Sequence, residues 1–357
     1  MAEACHLAPK PALDENGRRE DCGHASARHR RHGVDQSWHR QAPAARGAEV
    51  RAFNRGKSVA PPLPAEVRTV LGDRDDADAI SAVAGENFDI VIDMDCFRNE
   101  QAAAAVAAFG GKCRHYIFCS TVCTYGTDSP STVLIDESSP QQPTSGYGRD
   151  KVACEQTFFE AHQAGRFAIT IIRPSQTYGP GAPMIDNLEF DAVAWDRIDR
   201  GLPVLCASDG LGQWVSTHRD DCGKLFAYAA LRPATFGKAY NATRQQYTTW
   251  CQYYRQVSAA LGKEAQLIYM PRDWIVRRDP KRFGLLKEIT GFHGAYDSSA
   301  ARRDVPEFVC DIDLTTGAAQ VFADQRRRGK WKDSREDLAY QAMVDEAVKL
   351  GQEPQPA

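Results

Sequence analysis

The chain has 357 residues, 43% hydrophobic and 25% charged, with 27 Gly and 19 Pro, enough apolar material for a sizeable core in one large or two smaller domains. Its 47 acidic and 44 basic side chains leave a formal charge of -3, which excludes a general field for nucleic acid or anionic membrane. No apolar run reaches the roughly 18 residues of a membrane span, the N-terminus lacks the apolar core of a Sec signal, and the 11 cysteines, with Cys119 and Cys123 the one close pair, read as reduced cytoplasmic thiols.

Residues 1–47 differ from everything after them. They contain no Ile, Phe or Tyr and hold five of the nine histidines, a composition that predicts a disordered leader. From Ala48 the text becomes that of a folded protein: Glu49 to Phe53 alternates apolar and polar residues and ends in the Asn54-Arg55-Gly56 turn. In a parallel α/β sheet this is the second strand, and a first strand with a Gly-rich phosphate loop ought to precede it. None is visible. Reading the codons of this region one nucleotide out of frame supplies one: Trp38 can then give only Gly, Gln41 gives Lys or Arg, and the stretch from His24 to Ala45 becomes compatible with a strand, a Gly-rich turn and an amphipathic helix. A frameshift that has overwritten the first βα unit, with translated upstream DNA before about His24, is one reading; a natural basic leader is the other.

Further along, Phe88 to Met94, His115 to Ser120 and Ala168 to Ile172 are short apolar strands separated by an Ala-rich helix over Gln101 to Phe109 and a helix carried by Lys151 to Ala164. Their alternation predicts an α/β fold, a doubly wound parallel sheet of Rossmann type with a smaller C-terminal substrate lobe. The implied divisions are an aberrant leader over 1–47, a dinucleotide-binding domain over 48–180, a substrate lobe over 181–325 interleaved with it, and a C-terminal helix and tail over 326–357. No internal repeat occurs.

Two features carry chemistry. Tyr147 and Lys151 lie four residues apart, so a helix presents both on one face, where the ammonium favours phenolate and lowers the tyrosine pKa. Ser120-Thr121 closes the strand upstream and delivers a hydroxyl to its carboxyl end, where open α/β sheets bind ligands. Each has a plainer reading, as an exposed helix pair and as a strand-end turn.

Taken together, Ile117-Phe118-Cys119-Ser120-Thr121 with Tyr125-Gly126, Tyr147-x-x-x-Lys151, and Ile172-Arg173-Pro174 with Tyr178-Gly179-Pro180 resemble the extended short-chain dehydrogenase/reductases, the NAD-dependent epimerase/dehydratase family, over about Ala48 to Val309. The resemblance implies Thr121 as the hydroxyl that polarises substrate, Tyr147 as acid/base and Lys151 as the group that holds the cofactor ribose and tunes Tyr147. It also implies Pro174 and Ser175 at the nicotinamide end and Asp73, in Gly72-Asp73-Arg74, at the adenine. Asn54-Arg55-Gly56-Lys57 lacks the carboxylate that usually holds the ribose 2'-hydroxyl and adds cations, which favours NADP over NAD, with Arg55, and Lys57 beside it, toward the 2'-phosphate; Arg74, next to Asp73, is also expected among the cofactor-binding residues.

The departures are informative as well. Val122-Cys123 follow Thr121 where the family's dehydratases carry Asp-Glu, which disfavours elimination. Gln213 stands where epimerases of the family carry an Arg for the diphosphate, which puts a nucleotide-sugar in doubt; nearby Arg219 reads as a surface partner of Asp220 or Asp221. The implied function is an NAD(P)-dependent oxidoreductase or epimerase acting on a sugar-like or other small molecule, with a homodimer admissible and no membrane partner. The alternative is an RNA- or partner-binding module resembling the chloroplast stem-loop-binding proteins, which do not generally keep the Tyr/Lys pair.

Overall fold

The structure is a computed structural model and describes residues 21–23 (backbone only), 48–56, 65, 67–127, 134–190 and 192–357. In chain order the first half comprises β1 (Asp21–Gly23), β2 (Arg51–Asn54), β3 (Arg68–Leu71), α1 (Ala77–Val83), β4 (Phe88–Asp93), α2 (Asn99–Phe109), β5 (Cys113–Cys119), α3 (Gly146–Gln163) and β6 (Ala168–Pro174). There follow β7 (Gln176–Tyr178), α4 (Ala194–Asp199), β8 (Val204–Ala207), β9 (Gln213–Trp214), β10 (Ser216–His218), α5 (Arg219–Ala229), β11 (Lys238–Ala242), β12 (Thr248–Thr249), α6 (Trp250–Ala259) and β13 (Gln266–Met270). The chain closes with α7 (Arg272–Arg278), α8 (Ser299–Asp304), α9 (Leu314–Arg327), α10 (Leu338–Lys349) and β14 (Gln355–Pro356).

A parallel sheet runs β1-β4-β5-β6-β11, and β2 pairs in parallel with β3 next to β1. This is the expected doubly wound α/β fold. Successive side chains of a strand point to opposite faces, and here both faces are covered. Phe88, Val91, Tyr116, Phe118 and Phe158 pack on the side of α1, α2 and α3, whereas Ile90, Ile92, Ile117, Ile172 and Phe226 pack on the side of α5 and α8. Every residue of β4 is therefore buried. The same cause corrects the half-exposed alternation read over Glu49 to Phe53, because all four residues of β2 are buried.

The first strand position, expected to stand vacant, holds Asp21–Gly23, which pairs with β4 through an irregular register, Asp21 with Phe88 and Gly23 with Val91. The expectation of a wholly disordered leader is corrected at these three residues; the remaining leader residues, and the out-of-frame turn and helix read between His24 and Ala45, lie outside the described residues. The second lobe is built on β8 and β13 in parallel, with β14 antiparallel to β13, and on a core of Trp195, Trp250, Tyr253, Tyr254, Val321 and Phe322. Between visits to this lobe the chain returns to the central sheet as β11, paired in parallel with β6. The end of the chain, expected as a tail after the C-terminal helix, is held on the second lobe by the Ala357 N–H bond to the Ala265 carbonyl at 3.0 Å.

Candidate active site

β5 ends at Cys119, and Thr121 caps a 3-10 turn over Val122–Thr124. Its Oγ1 accepts the Cys123 N–H at 3.2 Å, and Thr121 lies close enough to the Tyr147 phenol to lower its pKa. α3 begins earlier than its apolar pattern suggests because Ser145 Oγ accepts the Gly148 N–H at 3.0 Å, which puts Tyr147 in the first turn and Lys151 one turn further on. Gly148 is required for this approach: a Cβ there would lie 2.5 Å from the Cys123 carbonyl oxygen and 2.8 Å from Pro143 Cβ.

Lys151 is buried, with Nζ donating to the Cys119 carbonyl at 2.6 Å and lying 4.7 Å from the Phe97 ring centre and 4.8 Å from that of Phe118. Burial opposes its charge, but Tyr147 and Cys119 raise its pKa above the ordinary lysine value. Tyr147 stands at the cavity mouth with 37% of the residue exposed. Desolvation of its hydroxyl end pushes the phenol up to about 12, although the Lys151 ammonium pulls it down. The lowering expected from Lys151 is thus present and outweighed, and the phenol is protonated at neutral pH.

Thr121, Tyr147, Lys151, Pro174 and Ser175 line one cavity of about 930 Å³ between the sheet and the second lobe, in the size range of small-molecule sites. Ser175 Oγ is 3.0 Å from Thr217 Oγ1. Arg55 and Asp73 meet at the carboxyl ends of β2 and β3, with Nη1 to Oδ2 at 3.4 Å. Arg74 is placed elsewhere, correcting its expected cofactor role: it is turned into the protein, where Nη2 donates to Asp93 Oδ2 at 2.8 Å and to the Gln101 carbonyl at 3.0 Å. Lys57 lies outside the described residues. Arg219 is buried rather than on the surface, with Nε 3.6 Å from Asp220 Oδ1 and Nη1 donating to the Pro180 carbonyl.

Glu155, buried directly behind the site beside the motif residue Arg173, was not singled out in the sequence, and Arg173 was given no role there. The available signal was spacing, since Glu155 follows Lys151 at i+4 and shares its helix face. Among the described residues no group of three His, Cys, Asp or Glu could hold a metal, and no helix is long and apolar enough to cross a membrane.

The description NAD dependent epimerase/dehydratase family matches residues 37–243, more than half of the chain. The chain belongs to this family. Within the wider set of relatives, 2'-dehydrokanamycin reductase of Streptomyces kanamyceticus is 31% identical over 213 residues, which are 59% of this chain and 60% of that protein. This family member thus spans about 60% of the length of that curated relative. Solved structures repeat the fold: UDP-glucuronic acid 4-epimerase from Bacillus cereus in complex with NAD at a TM-score of 0.60 and 17% identity, covering 76% of this chain and 83% of that one. UDP-glucose 4-epimerase from Thermotoga maritima matches at a TM-score of 0.66 and 15% identity, covering 87% of this chain and 99% of that one.

Proposed function

We propose that this family member is an NAD(P)-dependent oxidoreductase or epimerase that moves hydride at a carbinol carbon of a sugar-like small molecule. The observation that carries the reading is the gathering of Thr121, Tyr147 and Lys151 on one wall of the cavity, at the carboxyl edge of the sheet. The residues at the two ends of the crevice fit a dinucleotide. A buried ammonium lies at the nicotinamide end with one of its three N–H groups committed to Cys119, and Arg55 with Asp73 stands at the adenosine end.

When bound, the cofactor supplies or accepts the hydride. Tyr147, held protonated, gives its proton to the substrate oxygen in reduction and recovers it in oxidation; Thr121 Oγ1 orients that oxygen, and the Lys151 ammonium stabilises the phenolate left behind. Arg55 at the end of β2 supports NADP over NAD, because a guanidinium can pair with a 2'-phosphate.

Three contacts support a substrate without a diphosphate. Arg282 Nη2 is held by Glu189 at 2.8 Å and Asp337 at 2.6 Å, Arg219 is tucked against Pro180, and the Gln213 N–H is taken by His293 Nδ1 at 3.2 Å. The reductase relative and the family match favour this chemistry over an RNA-binding module. The nine cysteines whose side chains are described are free thiols, which supports a cytoplasmic location.

The frameshift reading belongs to the same proposal. The chain as written then binds dinucleotide weakly, lacking a Gly-rich turn for the pyrophosphate, and restoring the frame recovers binding. Calorimetry with NADPH checks this, and micromolar affinity in the chain as written rejects it. In the frame-restored protein Tyr147→Phe keeps the ring but deletes the proton, so kcat drops on the order of a hundredfold or more with cofactor affinity little changed. Turnover equal to the parent would sink the oxidoreductase reading.

A further inference from the structure

β5, β6 and α3 converge behind the Tyr147 wall on a single buried carboxylate. Glu155 accepts Arg173 Nε at 2.9 Å and Nη2 at 2.6 Å, accepts Gln141 Nε2 at 2.9 Å, and accepts the Ser120 hydroxyl. Arg173 uses its remaining Nη1 on the Tyr125 hydroxyl at 2.8 Å, with the guanidinium 5.0 Å from the centre of the same ring, and Tyr125 donates to Asn241 Oδ1 at 2.8 Å on β11. Asn241 Nδ2 in turn donates to the carbonyls of Ile135 and Asp297 at 3.1 and 3.0 Å. Ser120, Tyr125, Glu155 and Arg173 therefore lie on elements that border the cavity.

The positions of these contacts matter more than their number. Ser120 is the residue before Thr121, and Tyr125 is the residue that ends the turn Thr121 begins. Glu155 itself lies two helical turns beyond Tyr147, on the face that also carries Lys151. The carboxylate thus ties the helix bearing the phenol and the ammonium to both ends of the loop bearing the hydroxyl. We infer that Glu155, acting through Ser120 and Arg173, is a positioning residue that fixes the separation of the Tyr147 and Thr121 hydroxyls. It touches neither substrate nor cofactor. The inference rests on the proposed role of those two hydroxyls, and it gives the Arg173 and Tyr125 of the sequence motifs a common task.

The test uses two variants of the full chain, with turnover and cofactor affinity read in the frame-restored protein. Glu155→Gln leaves Arg173 without its counter-charge and carries a risk of misfolding; Ser120→Ala removes only the link to the catalytic loop and leaves the Glu155–Arg173 pair in place. In crystal structures of the variants the Tyr147 Oη to Thr121 Oγ1 separation grows by about 0.5 Å or more, the tolerance within which a catalytic constellation has to be held. At saturating cofactor kcat falls at least about tenfold, with cofactor affinity within about twofold and the melting temperature of Ser120→Ala close to the parent's. An unmoved separation together with unchanged kcat in Ser120→Ala overturns the inference. The crystallographic reading needs no turnover, so a parent inactive on every keto or hydroxy substrate would reject the oxidoreductase reading while leaving the clamp to be judged on geometry.

Discussion

Tyr147 and Lys151 show how the sign of a pH dependence follows from burial. The phenol is pushed up to about 12, so the protonated form that reduction needs persists through neutral pH and is lost only as pH rises through that value. Oxidation needs the phenolate and gains with pH over the same range. Lys151→Met removes the ammonium that pulls the phenol down, so the alkaline limb of the pH–rate profile moves to higher pH and cofactor binding weakens with it. A limb that stayed in place would separate Lys151 from the phenol. At the other end of the crevice, in the frame-restored protein, Arg55→Ala weakens NADP by about tenfold to a hundredfold and NAD much less, since the loss of one charge-assisted phosphate contact is worth about 1.5–3 kcal/mol. Equal losses, measured by fluorescence titration of both cofactors, would refute that assignment.

At the scale of elements, β5 and β6 were legible in the sequence because each combines an apolar run with a terminating hydroxyl or proline, and α3 was legible from Lys151 onward but not in its first turn. The contact between α3 and the Thr121 turn was not, since Gly148 carries no periodic signal and its purpose is visible only as a 2.5 Å approach to Cys123. Gly148→Ala accordingly forces the first turn of α3 away from Thr121; we expect at least a tenfold loss of kcat with retained folding, read from steady-state kinetics beside circular dichroism. The clamp on Glu155 was hidden for a related reason. Its partners, Gln141, Arg173 and Ser120, are scattered through the chain, and no local pattern joins residues that meet only after two strands and a helix have packed. Arg74 failed in the opposite sense, for a cation beside Asp73, the residue expected at the adenine, reads as a ligand until Asp93, 19 residues away, claims it in the core.

For the whole molecule, stability should carry its own acid signature. His115 is buried in β5, where Nδ1 accepts the Leu231 N–H at 3.0 Å and Nε2 meets Thr170 Oγ1 at 2.8 Å; burial lowers its pKa to about 3. Below the ordinary value of 6.5 the unfolded chain takes a proton that the folded chain refuses, so this contribution is complete above 6.5 and drains away toward 3, at up to about 1.4 kcal/mol per pH unit. Denaturant melts of the parent and of His115→Gln between pH 7 and 4 check this: the variant loses less stability over that interval, and parallel curves would show His115 to be irrelevant.

The return of the chain to the central sheet as β11 has a bearing on how such proteins can be recombined. The second lobe is assembled from segments on either side of that strand, β8 before it and β13 with β14 after it, so no single cut separates the lobe from the sheet. A chimera made by grafting everything after residue 180 from another member would import an edge strand whose partner, β6, belongs to the host. Exchange of second lobes therefore has to be made as two insertions flanking a resident Lys238–Ala242 strand, and crossover points on either side of that strand should yield folded hybrids where a single junction does not.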